Sequence, residues 1–282
     1  MAWDRFHFIC RRSHHSLQAK ESVDECLTRV ESEPGVHLYG EQPEPGSLPD
    51  LLLAEIKDIE NQQAAARVIG LYGGLDFTSQ LNEPMQLKRV IAYLSCVVVV
   101  FFLVSCLYQL KVAPTFLETY RTFELDIPIH VLWYQDYWLM FSVVIFVLLL
   151  LALKVGFELK RLFQFADTHF ESFIFNRLTL PGIRTAYLNI LEAVFYPLSD
   201  TSEQRGIPSY LITEHLRAME RSGMDVTQEI QSIIQREGRA LTVLCERQMR
   251  IISASIAIII IAAIFFFLIS AYSPIFILGE TI

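Results

Sequence analysis

The feature that most constrains this chain is the uncharged run from Val90 to Leu110. Its 21 residues, VIAYLSCVVVVFFLVSCLYQL, include no Asp, Glu, Lys, Arg or His. At 1.5 Å per residue, a helix of this length measures about 30 Å, the thickness of a bilayer's hydrocarbon core. A helix that is apolar on every side must also be buried on every side. The run therefore predicts a transmembrane helix.

Two further apolar runs follow. Tyr137–Leu153 is uncharged and extends to Phe157, because the long side chain of Lys154 can reach the membrane surface. Ile251–Gly279 is longer than one bilayer crossing, so we expect it to tilt or to end at Pro274. These runs assign transmembrane helices to residues 88–111, 137–157 and 251–277.

The remaining residues divide into four polar segments. We predict two helical domains, one at residues 1–87 and one at residues 158–250, together with a loop at 112–136 and a tail at 278–282. Residues 1–45 either fold or act as a tether. The fold class is thus an all-α membrane protein with three transmembrane helices and two helical polar domains, the first of them shortened.

Local patterns predict helices in both polar segments. Apolar residues recur at helical spacing in each, and Asp225 with Gln228 fits a capping box. Gly70–Asp76, by contrast, is rich in glycine and predicts a turn. The predicted apolar face positions are Leu52, Ile56, Ile59, Leu211, Leu216, Met219, Ile230, Ile233 and Ile234.

Basic residues beside the apolar runs predict the orientation, because such residues favour the cytoplasmic side of a membrane. They cluster before the first run, after the second and before the third, at Lys88, Arg89, Lys154, Lys160, Arg161, Arg247 and Arg250. We therefore expect both polar domains and the N-terminus in the cytoplasm. We expect the 112–136 loop and the C-terminus on the opposite, outer side of the membrane.

Composition excludes several classes of function. The net charge of −8 disfavours a nucleic-acid-binding protein, which needs a basic face. The five cysteines lack CxxC spacing, so we expect small buried side chains rather than disulfides or a zinc site. The adjacent His14 and His15 do not share a helix face, and we expect solvated surface rather than a metal site at these two histidines and at His7. No metal and no cofactor is expected.

Catalytic signatures are also missing from the sequence. It has no Walker motif, Gly-x-Ser-x-Gly elbow or His-Glu-x-x-His pair. The three apolar runs lack the ionisable groups that ion-coupled transporters place at the bilayer midplane. A membrane enzyme would have to rely on the few acids and the single histidine of the 112–136 loop. We therefore expect no catalytic residues and no enzyme activity.

The two halves of the chain share an order of features. Gly73-Gly-Leu-Asp-Phe-Thr78 lines up with Ser222-Gly-Met-Asp-Val-Thr227. Each half then continues into an apolar run that ends in a Pro-x-Phe pair, Pro114 with Phe116 and Pro274 with Phe276. Such self-similarity predicts an internal repeat, with chance matching of common residues as the alternative. The predicted repeat turns contain Gly73, Gly74 and Asp76 in the first half.

These segments resemble the secretion-system F-protein family, the inner-membrane platform proteins of type II secretion and type IV pilus machines. The strongest likeness is Val112–Pro128, followed by Met219-Glu-Arg-Ser-Gly223 and Ala271–Leu278. The likeness covers about residues 45–280 and is weaker before residue 88. In the first half Leu71 stands where the family signature has glutamate, and the half is shortened.

The resemblance implies a platform that couples a cytoplasmic assembly ATPase to the assembly of pilin or pseudopilin subunits into a fibre. It implies homo-oligomers and contacts with other inner-membrane assembly proteins. The alternative is a non-catalytic membrane subunit of another exporter or signalling complex. Small residues such as Ser253 and Ala257 suit helix–helix contacts in either case.

The partner-docking turn is expected at Glu220, Ser222, Gly223 and Asp225. In this turn we expect the Glu220 carboxylate to accept backbone N–H groups and Gly223 to supply a positive φ. Glu220 would then support a docking surface rather than catalyse a reaction.

Overall fold

A computed structural model describes residues 2–18, 21–43, 45–76, 85–122, 129–163, 179–199 and 211–281. Over these residues the regular structure is entirely helical, as predicted. The chain divides into two compact units. Unit 1 comprises Met1–Pro84 and Leu159–Cys245, and unit 2 comprises Met85–Glu158 and Glu246–Ile282.

Ten α-helices are described, with short 3₁₀ and π turns between some of them. The α-helices are α1 (Ala2–Ser16), α2 (Val23–Glu31), α3 (Leu48–Lys57), α4 (Gln62–Gly74), α5 (Met85–Leu107), α6 (Ala113–Thr122), α7 (Ile129–Leu162), α8 (Pro181–Phe195), α9 (Leu211–Arg221) and α10 (Val226–Thr281). The 3₁₀ turns are Pro34–Tyr39 and Tyr196–Leu198, and the π turn is Tyr108–Val112.

Helix starts in unit 1 carry the side-chain signals that local sequence provides. Ser22 and Glu25 form a capping box at α2, since each side chain bonds the backbone N–H of the other residue. At α4 the side chain of Asn61 accepts the N–H groups of Gln63 and Ala64. These bonds satisfy donors that would otherwise lack partners at a helix N-terminus.

The core of unit 1 forms where α1 packs against α4. Phe6 and Cys10 of α1 and Tyr72 of α4 are fully buried, and the rings of Phe6 and Tyr72 meet edge to face with centroids 5.3 Å apart. Cys26 and Cys245 are also buried, as expected, whereas the prediction was wrong for Cys96, which is exposed, and Cys106 is half-buried. Leu52 and Ile56 of α3 are buried as predicted. Residues 2–18 and 21–43 are therefore folded helical structure rather than a tether.

The two polar segments form one compact unit, whereas the sequence suggested two separate domains. The buried hydroxyl of Tyr72 in α4 donates a 2.8 Å hydrogen bond to the carbonyl oxygen of Val194 in α8. The backbone N–H and C=O of Asp76 both bond to the side-chain amide of Gln231 in α10, at 2.8 and 3.0 Å. Bonds between such distant parts of the sequence make the segments a single structural unit.

Unit 2 contains most of the apolar residues of the long helices. Among the described residues, three helices are long and apolar enough to cross a membrane, over Arg89–Thr122, Leu139–Lys160 and Val226–Phe266, and the last of them begins in unit 1. Within this unit α5, α7 and α10 approach one another at Gly156. A Cβ atom there would lie 3.1 Å from Ile91 and 3.4 Å from Met249. The three predicted spans are therefore confirmed as long apolar helices.

The predicted loop at 112–136 is wrong in part, because α6 occupies Ala113–Thr122 and α7 already begins at Ile129. The chain does not leave the helix at Pro114 but passes through the π turn just before it. There the N–H of Ala113 donates to the carbonyl of Tyr108, five residues back. Proline has no N–H, and its ring clashes with the carbonyl four residues earlier, so a wider turn before Pro114 allows the helix to continue.

Pro274 likewise does not end its helix, because α10 runs to Thr281. Membrane helices tolerate proline where neighbouring groups satisfy the freed carbonyl. Local sequence also predicts a short helix between Asp76 and the first span and a loop at 199–206. Residues 77–84 and 200–206 lie outside the described residues.

Replacing Tyr72 with Phe removes the hydroxyl that bonds Val194 and leaves the ring in place. We expect a loss of about 1 kcal/mol of stability, seen as a thermal midpoint lowered by about 2–4 °C. Tryptophan fluorescence of the full chain in detergent measures the midpoint. Tyr39→Phe is the control, because the Tyr39 ring stacks on Phe8 and its hydroxyl makes none of the hydrogen bonds described here. An unchanged midpoint for Tyr72→Phe would contradict the role of this bond.

His7 is half-buried rather than solvated, and its Nδ1 lies 3.2 Å from the carbonyl oxygen of Tyr72. Burial lowers its pKa below 6.5, although the Tyr72 carbonyl, Asp76 and Asp4 partly oppose this. The unfolded chain then binds the proton more readily than the folded chain, so stability is present above pH 6.5 and falls as the pH drops below it.

We expect the thermal midpoint of the wild type to fall between pH 7.5 and pH 5.5 more steeply than that of His7→Gln. The control His37→Gln, at an exposed histidine, keeps the wild-type pH dependence. If the thermal midpoints of wild type and His7→Gln fell equally with pH, protonation of His7 would not be the cause of the pH dependence.

Candidate functional site

The turn between α9 and α10 is a Schellman motif. Met224 N–H donates to the carbonyl of Met219 at 3.1 Å, and Gly223 N–H donates to the carbonyl of Glu220 at 3.0 Å. Gly223 adopts φ +72°, which confirms the predicted positive φ. A side chain at this position would be strained, so the glycine is required by the backbone path.

The next helix starts immediately after this turn. The carboxylate of Asp225 accepts the backbone N–H groups of Thr227 and Gln228 at 2.9 and 3.3 Å, so Asp225 caps α10 as predicted. The hydroxyl of Ser222 donates to the carbonyl of Ala218. Met224, at the tip, is 56% exposed. The turn is thus a surface feature with its backbone fixed on both sides.

Helix α9 has one fully buried apolar position and an exposed end. Leu216 is fully buried, Met219 is half-buried and Leu211 is 78% exposed, so the prediction was wrong for Leu211. Ile230, Ile233 and Ile234 of α10 are all buried, as predicted.

Glu220 does not accept the backbone N–H groups of its own turn, which corrects the sequence prediction. Its Oε2 accepts a 2.7 Å hydrogen bond from the Tyr196 hydroxyl, and its Oε1 forms an ion pair with the guanidinium of Arg67. The Schellman backbone bonds already close the turn, so the carboxylate remains available for other segments. Glu220 thereby joins α9 to α4 and to the 3₁₀ turn that follows α8.

A second carboxylate holds the N-terminal end of α9. Glu192 of α8 is 3% exposed, and its Oε1 accepts the backbone N–H of Thr213 at 3.0 Å. Thr213 lies in the first turn of α9, where N–H groups have no intrahelical acceptor. Two glutamates therefore fix α9 to unit 1, one near each end of the helix.

A cleft of about 560 Å³ lies in unit 1 at the Glu220–Arg67 pair. Its buried part is formed by Val68, Tyr196 and Pro197. Its exposed rim carries Asp58 and Glu60, from the end of α3 and the connection to α4. Ile59, Asn61, Ala64 and Leu71 complete its lining. In the described part of its lining, the cleft combines an apolar floor with three carboxylates and one guanidinium.

Gly70, Gly73 and Gly74 lie inside α4, so the turn predicted at Gly70–Asp76 is wrong except for its last two residues. The glycines instead allow neighbouring elements to approach the helix. A Cβ atom at Gly73 would lie 3.1 Å from the Arg11 Cα, and one at Gly74 would lie 3.1 Å from the Thr227 methyl group. The matched glycines of the two halves thus have different structures, a helix end in one half and a positive-φ turn in the other.

The two Pro-x-Phe pairs are not helix exits. Pro114 is exposed near the start of α6, and Pro274 lies within α10. The side chains of Phe116, Pro274 and Phe276 lie outside the part of the structure that is described.

Sequence reasoning missed three residues that build this region, namely Arg67, Tyr196 and Gln231. Each contacts a residue far away in sequence, over separations of 153, 24 and 155 positions respectively. None belongs to a motif, so only the tertiary structure identifies their roles. In the described residues, no group of three or more His, Cys, Asp or Glu side chains is arranged to hold a metal ion.

Comparisons of the chain with protein-family models, with curated proteins and with solved structures returned no match.

Gly73→Val places a branched side chain against the Arg11 backbone, which cannot move aside as a flexible side chain could. We expect this overpacking to cost about 1–3 kcal/mol and to lower the thermal midpoint by several degrees. Gly35→Val is the matched control, because a Cβ atom at Gly35 meets nothing within 4 Å. Equal midpoints for the two variants would show that α1 does not approach α4 this closely.

Proposed function

We propose that this protein is an inner-membrane platform of a type IV pilus or type II secretion machine. In this proposal unit 1 faces the cytoplasm and docks to a hexameric assembly ATPase, while unit 2 spans the membrane. Homo-oligomers of the platform transmit movements of the ATPase to membrane-held pilin or pseudopilin subunits. The protein itself catalyses no reaction and needs no cofactor.

The observation that carries the proposal is the α9–α10 turn. This turn holds Met219–Gly223, one of the segments that resemble the platform family, and it is an exposed and fully capped surface feature. Docking surfaces favour such preorganised backbone, because little freedom is lost on binding. Its exposed methionine suits a protein contact, since methionine is enriched at such interfaces.

The connection of the turn to the rest of unit 1 also supports this function. Glu220 links the turn to Arg67 in the first polar segment, and Asp225 starts the long helix α10. The turn is therefore connected to both polar segments of unit 1 and to the start of α10. A platform needs a docking surface that is attached to the rest of its domain, and it needs no active site.

The test is co-purification of the full chain, in mild detergent, with the assembly ATPase of its own organism. We expect the wild type to retain the ATPase and Met224→Glu to retain about tenfold less, because a charge at the tip of the turn would oppose a packed contact. Leu38→Glu is the matched control, since Leu38 is 87% exposed in unit 1 and lies outside the turn.

A folded wild type that binds no ATPase would overturn the platform function and favour the subunit of another exporter or signalling complex. Equal losses for Met224→Glu and Leu38→Glu would show that docking does not use this turn.

A further inference from the structure

We propose that the cleft at Arg67 and Glu220 is a receptor for an arginine- or lysine-bearing segment of a partner protein. The inference deepens the proposed docking function, because it names the chemistry of the partner segment that unit 1 would receive. Its test does not require the ATPase.

The charges of the cleft favour a cationic occupant. Among the described residues that line it, Asp58, Glu60 and Glu220 are accompanied by a single cationic side chain, Arg67. Among the described residues the carboxylates of Asp58 and Glu60 take part in none of the hydrogen bonds or ion pairs found. Two exposed carboxylates at the rim therefore remain available to a positively charged side chain.

The shape of the cleft suits a long basic side chain rather than a simple ion. Its volume of about 560 Å³ lies in the range typical of binding pockets. The floor is apolar at Val68 and Pro197, with Tyr196 beside them. Lysine and arginine bury their methylene stems on apolar surface while their charged ends remain at polar groups. A floor of this kind beneath a rim of carboxylates can satisfy both parts of such a side chain.

The protein already places one guanidinium on Glu220. The Arg67 side chain pairs with this carboxylate while remaining 57% exposed. Guanidinium and carboxylate groups match geometrically and can form two parallel hydrogen bonds. Arg67 thus shows that Glu220 accepts a guanidinium, and an exposed ion pair contributes little stability. A partner arginine can therefore replace Arg67 at a small energetic cost.

Replacement of Arg67 would have a structural consequence. Glu220 would keep its hydrogen bond from Tyr196, so α9 would stay in place while Arg67 was released. Glu220 directly precedes Arg221, the last residue of α9, and the exposed turn begins there. A basic partner segment in the cleft would thus lie next to the docking turn and extend its surface.

The experiment measures fluorescence anisotropy of a fluorescein-labelled peptide that contains four arginines, added to the full chain in a neutral detergent. A peptide with four citrullines, which have nearly the same shape and no charge, controls for contacts other than charge. We expect saturable binding of the arginine peptide and at least about tenfold weaker binding of the citrulline peptide.

Two pairs of variants separate the cleft from the general negative charge of the protein. Asp58→Asn/Glu60→Gln should weaken binding of the arginine peptide by about fivefold or more. The matched control Asp24→Asn/Glu41→Gln removes the same charge from exposed positions that do not line the cleft, and it should stay within about twofold of the wild type.

Arg67→Ala gives an effect of opposite sign, because it removes the internal competitor for Glu220. We expect this variant to bind the arginine peptide several-fold more tightly than the wild type. Arg236→Ala is its control, since Arg236 is 71% exposed in an ion pair with Glu237 outside the cleft.

Equal binding of the arginine and citrulline peptides would overturn the inference. The inference would also be overturned if Asp58→Asn/Glu60→Gln and its control changed peptide binding equally, or if Arg67→Ala and Arg236→Ala did. Weaker peptide binding by Arg67→Ala than by the wild type would overturn it as well. Peptide binding at the cleft without ATPase co-purification would refute the platform function alone. Conversely, ATPase binding that is insensitive to Asp58→Asn/Glu60→Gln, with no peptide binding, would refute the cleft alone.

Discussion

The buried hydrogen bond from Tyr72 to the carbonyl of Val194 joins the two polar segments at the centre of unit 1. Tyr72 also lies against Phe6 of α1, so one side chain connects the N-terminal helix, α4 and α8. Because the hydroxyl is fully buried, any arrangement that separates α4 from α8 would leave a polar group without a partner. The bond therefore fixes how α4 and α8 pair within unit 1.

The helix α9 shows how the same unit presents a surface. Only Leu216 of this helix is fully buried, so hydrophobic contact alone would hold it weakly. The carboxylates of Glu192 and Glu220 supply the missing attachment, one at the backbone of Thr213 and the other at Tyr196 and Arg67. This arrangement leaves the turn after α9 exposed while its position is fixed. The proposed docking surface and the cleft both result from that attachment.

In unit 2 two prolines, Pro114 and Pro274, lie where the chain remains helical. The π turn at Tyr108–Val112 precedes Pro114, and α10 includes Pro274. Helix termination by proline is a reliable expectation in water, where the alternative is a solvated loop. In an apolar setting a broken helix exposes unpaired backbone groups, so distorting the helix costs less than ending it.

The sequence by itself determined the features that depend on neighbouring residues. Three uncharged runs predicted three long apolar helices, Gly223 predicted a positive φ, Asp225 predicted a cap, and helical spacing predicted the burial of Ile230, Ile233 and Ile234. Each of these follows from hydrophobicity or backbone geometry within a few residues.

Only the tertiary structure decided how distant segments combine. It placed Gly73 and Gly74 in a helix, since their role is set by the approach of α1 and α10 rather than by their own flexibility. It merged two expected domains into one unit, and it paired Glu220 with Arg67, 153 residues earlier. Such contacts leave no local pattern, because the partner of a buried or charged group is chosen by the fold as a whole.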